Sequence, residues 1–183
     1  MGTRLTTGLV CLLLVGAGCS TAPKTEESRD VLSAEVTEAI AVIKQRDPGM
    51  EEFFENSYAY AVFPKVVKGA WIVGGAGGKG QVFAEDKLVG YSNVSQATIG
   101  FSFGGQYFRE VIFFREKRDL ARFSSGEFTF SAQVSGVAIT AGAAGKADYK
   151  DGMAVFVMAD KGLMIDASLG GQKFNYVPAE MIE

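Results

Sequence analysis

Three stretches of this chain carry residue types at spacings associated with chemistry, and each lacks the partner that its chemistry requires. Gly100-Phe-Ser102-Phe-Gly104 fits the G-x-S-x-G string of a nucleophile elbow. An elbow serine needs a strand-to-helix turn and a histidine base. The chain contains no histidine at all, and Ser102 falls within an alternating run in which Ile99, Phe101 and Phe103 oppose Thr98, Gly100 and Ser102. Gly75-Ala-Gly77-Gly-Lys-Gly80 fits G-x-G-x-x-G, yet Gln81-Val-Phe83, a strand-like run, follows where a dinucleotide site needs a helix. Lys79 fails as a P-loop lysine, because Gly80 stands in place of the Ser/Thr and Val73 in place of the first glycine. Close strand packing or a loop explains these glycines better. Gly-Gly-Gln occurs at 104–106 and at 170–172, the tripeptide of peptidyl-tRNA hydrolysis, but an acidic chain with the export signal expected below would meet no ribosome. Without histidine, Ser–His and Cys–His mechanisms and His-containing zinc sites are excluded. Carboxylate chemistry through Asp148, Asp151 or Asp166 is the weakest reading. The expectation is a chain with no catalytic residue, no metal and no cofactor.

The cysteines carry a different chemistry. Met1 to Arg4 gives a basic start, Leu9-Val-Cys-Leu-Leu-Leu-Val15 a short apolar run, and Gly16-Ala17-Gly18 small residues ahead of Cys19. That order is the pattern of a secretory signal, and its apolar run is too short to span a bilayer. Small residues directly before a cysteine resemble the lipobox of bacterial lipoproteins, although Gly16 replaces the usual leucine. The resemblance implies a signal peptide over 1–18, cleavage before Cys19, and acylation of Cys19 (diacylglycerol on sulfur, usually a fatty acyl group such as palmitate on the amine). Ser20, with no retention aspartate after the cysteine, implies the outer membrane, with the body in the periplasm or at the cell surface. Cys11 leaves with the signal, so the mature part holds no free thiol and no disulfide.

Charge narrows the partners. The chain has 18 Lys+Arg against 21 Asp+Glu, a net charge of −3, and removal of Arg4 makes it slightly more acidic. Nucleic acid, which requires a basic face, is not expected. Attraction to anionic lipid must therefore be local. Lys65, Lys68 and Lys79, with Trp71 and Phe63 nearby, are the candidate patch for phospholipid headgroups; solvated lysines at strand ends are the plainer alternative.

The elements that would position these residues follow from periodicity. Residues 19–30 are polar and contain Pro23, consistent with a flexible tether. Residues 31–183 form the domain. Leu32, Val36, Ala39, Ile40 and Ile43 share one helical face, with Asp30 as candidate cap. Asp47-Pro48 restarts a helix reaching about Ser57, with Asp47 at the cap and Pro48 in the first position. All aromatic residues lie between Phe53 and Tyr176, interleaved with glycines, which reads as strands and tight turns. Phe128–Val134 and Leu163–Leu169 alternate with period two, and Asp160-Lys161-Gly162 reads as a hairpin turn between two such runs. Arg115 to Phe123 is the expected helical interruption. Ser102-Phe-Gly-Gly-Gln-Tyr-Phe108 is echoed by Ser168-Leu-Gly-Gly-Gln-Lys-Phe174, suggesting one turn geometry used twice. The expected fold class is α+β: N-terminal helices packed on a strongly curved antiparallel β-sheet or barrel.

The run from Ala59 through Pro64-Lys65, Lys68-Gly-Ala-Trp71 and Gly77-Gly-Lys-Gly80 to Phe83 resembles the SYLF lipid-binding domain family. So do Ile99-Gly-Phe-Ser-Phe-Gly-Gly-Gln106, Lys161-Gly162-Leu163 and Ala167-Ser-Leu-Gly170, in that order, over about residues 31–177. The resemblance implies a compact, non-catalytic membrane-binding domain, with phosphoinositides as ligands and actin as partner in eukaryotic members. Those members bind lipid partly through a basic helix at the domain's start. Here Glu26 to Asp47 has three basic and six acidic residues, which moves the expectation to the β-rich body near Lys65, Lys68 and Lys79. Two functions are expected: a tethered module binding phospholipid or another amphiphile, or a structural or surface-interaction lipoprotein that binds a protein partner.

Overall fold

The computed structural model describes residues 21–70, 73–99, 106–126, 136–159 and 172–182. In chain order these form α1 (Glu26–Arg46), α2 (Met50–Asn56), β1 (Ala59–Ala70), β2 (Val73–Ala84), β3 (Lys87–Ile99), β4 (Gln106–Phe114), α3 (Lys117–Ser124), β5 (Val137–Ala138), β6 (Met153–Ala159) and β7 (Gln172–Pro178). The strands make one seven-stranded sheet in the order β5-β6-β4-β1-β2-β3-β7. Neighbours are antiparallel except β5 and β6, which run parallel.

The α+β class and the placement of helices against a curled sheet match expectation, and two finer points do not. The sheet is mixed rather than purely antiparallel, because β5 pairs with β6 in the same direction. Among the described residues it is open, with β5 and β7 as its edges, and does not close into a barrel. The expected strands Phe128–Val134 and Leu163–Leu169 and the turn at 160–162 lie outside the described residues.

Strand periodicity divides two cores. On one face Val62, Val111, Phe113, Ala154 and Phe156 meet Leu32, Val36, Ala39 and Ile43 of α1 and Met50 and Phe54 of α2. On the other, concave face Ala61, Phe63, Val82, Val94, Ile112, Phe114, Val155 and Phe174 meet Phe123 of α3. Of the five α1 positions that sequence spacing placed on one face, four are buried and Ile40 is partly buried.

Helix starts differ from expectation for a local reason. Thr25, not Asp30, caps α1: its hydroxyl accepts from Ser28 N–H while the Ser28 hydroxyl accepts from Thr25 N–H, each at 3.2 Å. This reciprocal pair satisfies first-turn donors that Asp30, already inside the helix, cannot reach. Residues 26–30, expected as tether, are therefore helical, and Ala22 is already buried. Asp47 ends α1 instead of starting α2, which begins at Met50 after Gly49. Its carboxylate accepts from Gly49 N–H at 3.2 Å and, across the fold, from Ala144 N–H at 2.8 Å. Burial alone would raise the Asp47 pKa, but backbone N–H groups of Ala144, Gly49, Gly142 and Ala143 outweigh it and hold it below the ordinary value. The helix expected at 115–123 is α3, whose start Glu116 and Asp119 cap reciprocally.

One irregularity shapes the surface. Phe63 and Val66 of β1 oppose Glu110 and Phe108 of β4, so β1 holds an extra residue at Pro64–Lys65. The same shift recurs against β2, between Val62 and Val67. Proline, with no N–H to give, suits such a bulge. The bulge presses on β2, where a Cβ at Gly78 would stand 2.6 Å from the Lys65 carbonyl oxygen and one at Gly80 would strike the Val62 carbonyl and the Phe63 ring. The glycine run thus serves close strand packing. Gly78→Ala is expected to lower stability by roughly 1–3 kcal/mol through overpacking, read from urea midpoints; an unchanged midpoint would mean the strands separate freely there.

Candidate functional site

The bulge places Lys65 at the surface beside the N-terminal half of α1. Between α1 and the first two strands runs a groove of about 230 Å³. Its lining combines apolar Pro23, Val31, Leu32 and Pro64 with Lys65 and Lys79 and one acid, Glu35. Gln81 Nε2 donates to Ser33 Oγ at 3.0 Å, tying α1 to β2 close by. Val31 is 55% exposed, an uncovered apolar side chain on this face. Lys65 Nζ lies 5.3 Å from the Tyr107 ring centroid, a cation–π distance. On its other side Lys65 borders a polar depression of about 180 Å³ that also includes Glu35, Glu38 and Arg109. Arg109 Nη2 sits 3.6 Å from Glu38 Oε1.

An apolar lining beside two ammonium groups suits an amphiphile, whose chain would lie on Val31, Leu32 and Pro64 while an anionic group meets Lys65 and Lys79. The groove is smaller than the roughly 300–1,000 Å³ of an enclosed small-molecule site, so it would cover part of such a molecule.

The structure thus brings together two of the expected residues, Lys65 and Lys79. Lys68 belongs to β1 opposite Ala76 and Gln106. Trp71 and Cys19 lie outside the described residues, as do Ser102 and Asp166. The remaining acids weighed for hydrolysis do not converge on a cleft: Asp148 is exposed and paired with Arg115 at 3.2 Å, and Asp151 is an exposed turn residue with φ of 50°. Among the described residues no helix is long and apolar enough to cross a membrane.

Sequence reasoning missed one pair. Glu110 of β4 is fully buried on the concave face and accepts from Gln172 Nε2 of β7 at 3.0 Å. Burial pushes its pKa up to about 8, while the hydrogen bond from Gln172 pulls it the other way. The available signal was an acid in the inward phase of the run Phe108, Glu110, Ile112, Phe114. Gln172 comes from the second Gly-Gly-Gln, and in both copies the glutamine is the first residue of a strand.

Residues 95–177, from within β3 to near the end of β7, match the family model Ysc84, described as a Las17-binding protein actin regulator. Ysc84 is a SYLF-family model, so this segment is similar to the SYLF family. It is also 26% identical over 153 residues to Beta cell expansion factor A of Aeromonas veronii, a SYLF-family protein, an alignment covering 83% of this chain. The chain spans about 59% of that relative's length. The SYLF match contains Glu110 and Gln172, whereas Lys65, Lys79 and α1 precede it.

Proposed function

We propose that this SYLF-like protein is a lipid-anchored, non-catalytic module of the bacterial outer membrane whose groove at Lys65 and Lys79 takes part of a phospholipid or another amphiphile. The observation that carries this reading is the pairing of an apolar lining with two lysines at the point where the chain enters the domain. Ala22 is buried and Pro23 lines the groove. Three residues from Cys19 to Ala22 reach at most about 10 Å. Acyl chains on Cys19, each buried methylene contributing about 0.8 kcal/mol, would thus hold the groove close to the bilayer. Cys19→Ser is expected to release the protein from membranes, and intact mass is expected to show the acyl chains.

The test of the groove is vesicle co-sedimentation of residues 20–183, free of acyl chains, with neutral and anionic phospholipids at two salt concentrations. Binding to anionic vesicles is expected to weaken with salt, and Lys65→Glu with Lys79→Glu to weaken it by about 10- to 100-fold, since each surface lysine contributes about 1 kcal/mol. Binding to no composition, or binding indifferent to the double substitution, would sink the reading.

The second reading is a structural or surface-interaction lipoprotein with a protein partner. It draws on the family description, which names proteins that bind another protein, and on Glu35 and Glu38, acids of α1 beside the groove. It expects no vesicle binding and a specific protein complex lost on Glu35→Lys or Glu38→Lys.

A further inference from the structure

Among the described residues the concave face is mostly apolar, with Ser92 and Gln96 of β3 as buried polar side chains and one buried acid where β4 faces β7. Those strands are not neighbours; β1, β2 and β3 lie between them. Their contact is therefore a bridge across the curl of the sheet, made by Glu110 and Gln172, with Phe174 against Phe63 at 5.6 Å and Phe123 at 5.2 Å. Glu110 Oε1 and Gln172 Oε1 are both buried and both lack a hydrogen-bond partner. Two buried acceptors left over in one hydrogen-bonded pair are one proton short. A protonated Glu110 carboxyl supplies that proton.

We propose that Glu110 and Gln172 form a proton-operated latch, which holds the start of β7 against the concave face while Glu110 is protonated and lets it go when the proton is lost. The surroundings leave the proton in control. Beside Glu110 in the sheet stand Phe63 of β1 and Val157 of β6. Gln96 of β3 stands beside Gln172, and α3 contributes Phe123. None of these ionises. Among the described side chains of these elements, Arg109 pairs with Glu38, Lys65 lies over Tyr107, Asp119 accepts from Glu116 N–H, Arg118 pairs with Glu116, and Lys87, Lys117, Arg122 and Lys173 are exposed. Loss of the proton leaves a buried carboxylate with one neutral donor, which does not repay its desolvation. Relief comes most cheaply at β7, an edge strand among the described residues. The far end of β7 has its own hold, Tyr176 Oη donating to the Val89 carbonyl at 2.8 Å, so release is confined to the end near Gln172.

The test is amide hydrogen exchange of the full chain at pH 6.5 and pH 9, corrected for intrinsic exchange rates. Protection of residues 172–175 is expected to fall about 30-fold between pH 6.5 and pH 9, levelling off above the Glu110 midpoint, while β1, β2 and β4 keep theirs. Glu110→Gln is expected to abolish the change. Gln172→Leu removes the hydrogen bond that favours the ionised acid, so release should move to higher pH. The proposal is overturned if protection of 172–175 is the same at both pH values, if all strands lose protection together, if Glu110→Gln behaves as wild type, or if Gln172→Leu leaves the midpoint unmoved. Wild-type exchange alone separates local from global opening should a variant fail to fold.

Discussion

Glu110→Gln is expected to remove a pH dependence of stability that the wild-type chain should show from mildly acid to alkaline pH. The sign follows from proton counting. Glu110 holds its proton to about pH 8 when folded and loses it near its ordinary 4.5 when unfolded. Between those values the native state binds more protons, so wild-type stability falls as pH rises. The fall is about 1.4 kcal/mol per pH unit and on the order of 5 kcal/mol at most. Opening of β7 would cap it, because the penalty cannot exceed the cost of exposing the carboxylate. Glutamine has the same shape and no charge. It can accept from Gln172 Nε2 and donate to Gln172 Oε1, filling the missing hydrogen bond. Urea midpoints at pH 5, 7 and 9 are expected to decline in the wild type and to decline far less in the variant, which becomes the more stable protein at pH 9. Equal slopes in the two proteins would mean that Glu110 is hydrated in the native state. Asp47 acts at the other end. Its folded pKa is depressed, so its contribution is present above the ordinary value near 3.8 and lost as pH falls through the folded one. Together the two acids move the stability optimum to the mildly acidic side of neutrality.

What could be read in advance was whatever depended on short-range repetition. Leu32, Val36, Ala39 and Ile43 recur at helical spacing, and all four are buried in α1. The glycines around Lys79 were legible as a loop or close strand packing, and Gln81-Val-Phe83, continuing as a strand, favours the second. Boundaries were less legible. Asp30 and Thr25 are both good caps, and only the Ser28 hydroxyl, three residues after Thr25, decides between them. The groove was half legible. Lys65 and Lys79 are on paired strands, but their place in one groove depends on an extra residue at Pro64–Lys65 and on where α1 lies. Proline within a strand run hints at such a bulge and does not say which way the next side chain turns. Glu110 was the least legible. Its partner is 62 residues away and reaches it only because the sheet curls, a property of all its strands together.

Phe113→Ala should be the most damaging single truncation in the core shared by the helices and the sheet. Phe113 has no exposed surface. Its ring centroid lies 5.3 Å from Phe53, 4.9 Å from Phe54, 5.8 Å from Phe156 and 6.2 Å from Tyr60. Phe53 and Phe54 are consecutive in α2, so together they clasp the Phe113 ring. α2 has seven residues, too few to be helical without docking. Truncation removes the ring and leaves a cavity that β4, hydrogen-bonded on both sides, cannot collapse to fill. The expected loss is about 3–5 kcal/mol, read as a lower urea midpoint with little change in slope, together with early loss of protection in α2. Phe113→Leu should recover much of it. Lys65→Glu with Lys79→Glu changes exposed side chains and should stay within about 0.5 kcal/mol of wild type per site. A loss below about 1 kcal/mol on Phe113→Ala would mean that α2 does not dock on this ring. A loss of the expected size, beside unchanged stability in the lysine pair, would separate the residues that build the domain from those that act at its surface.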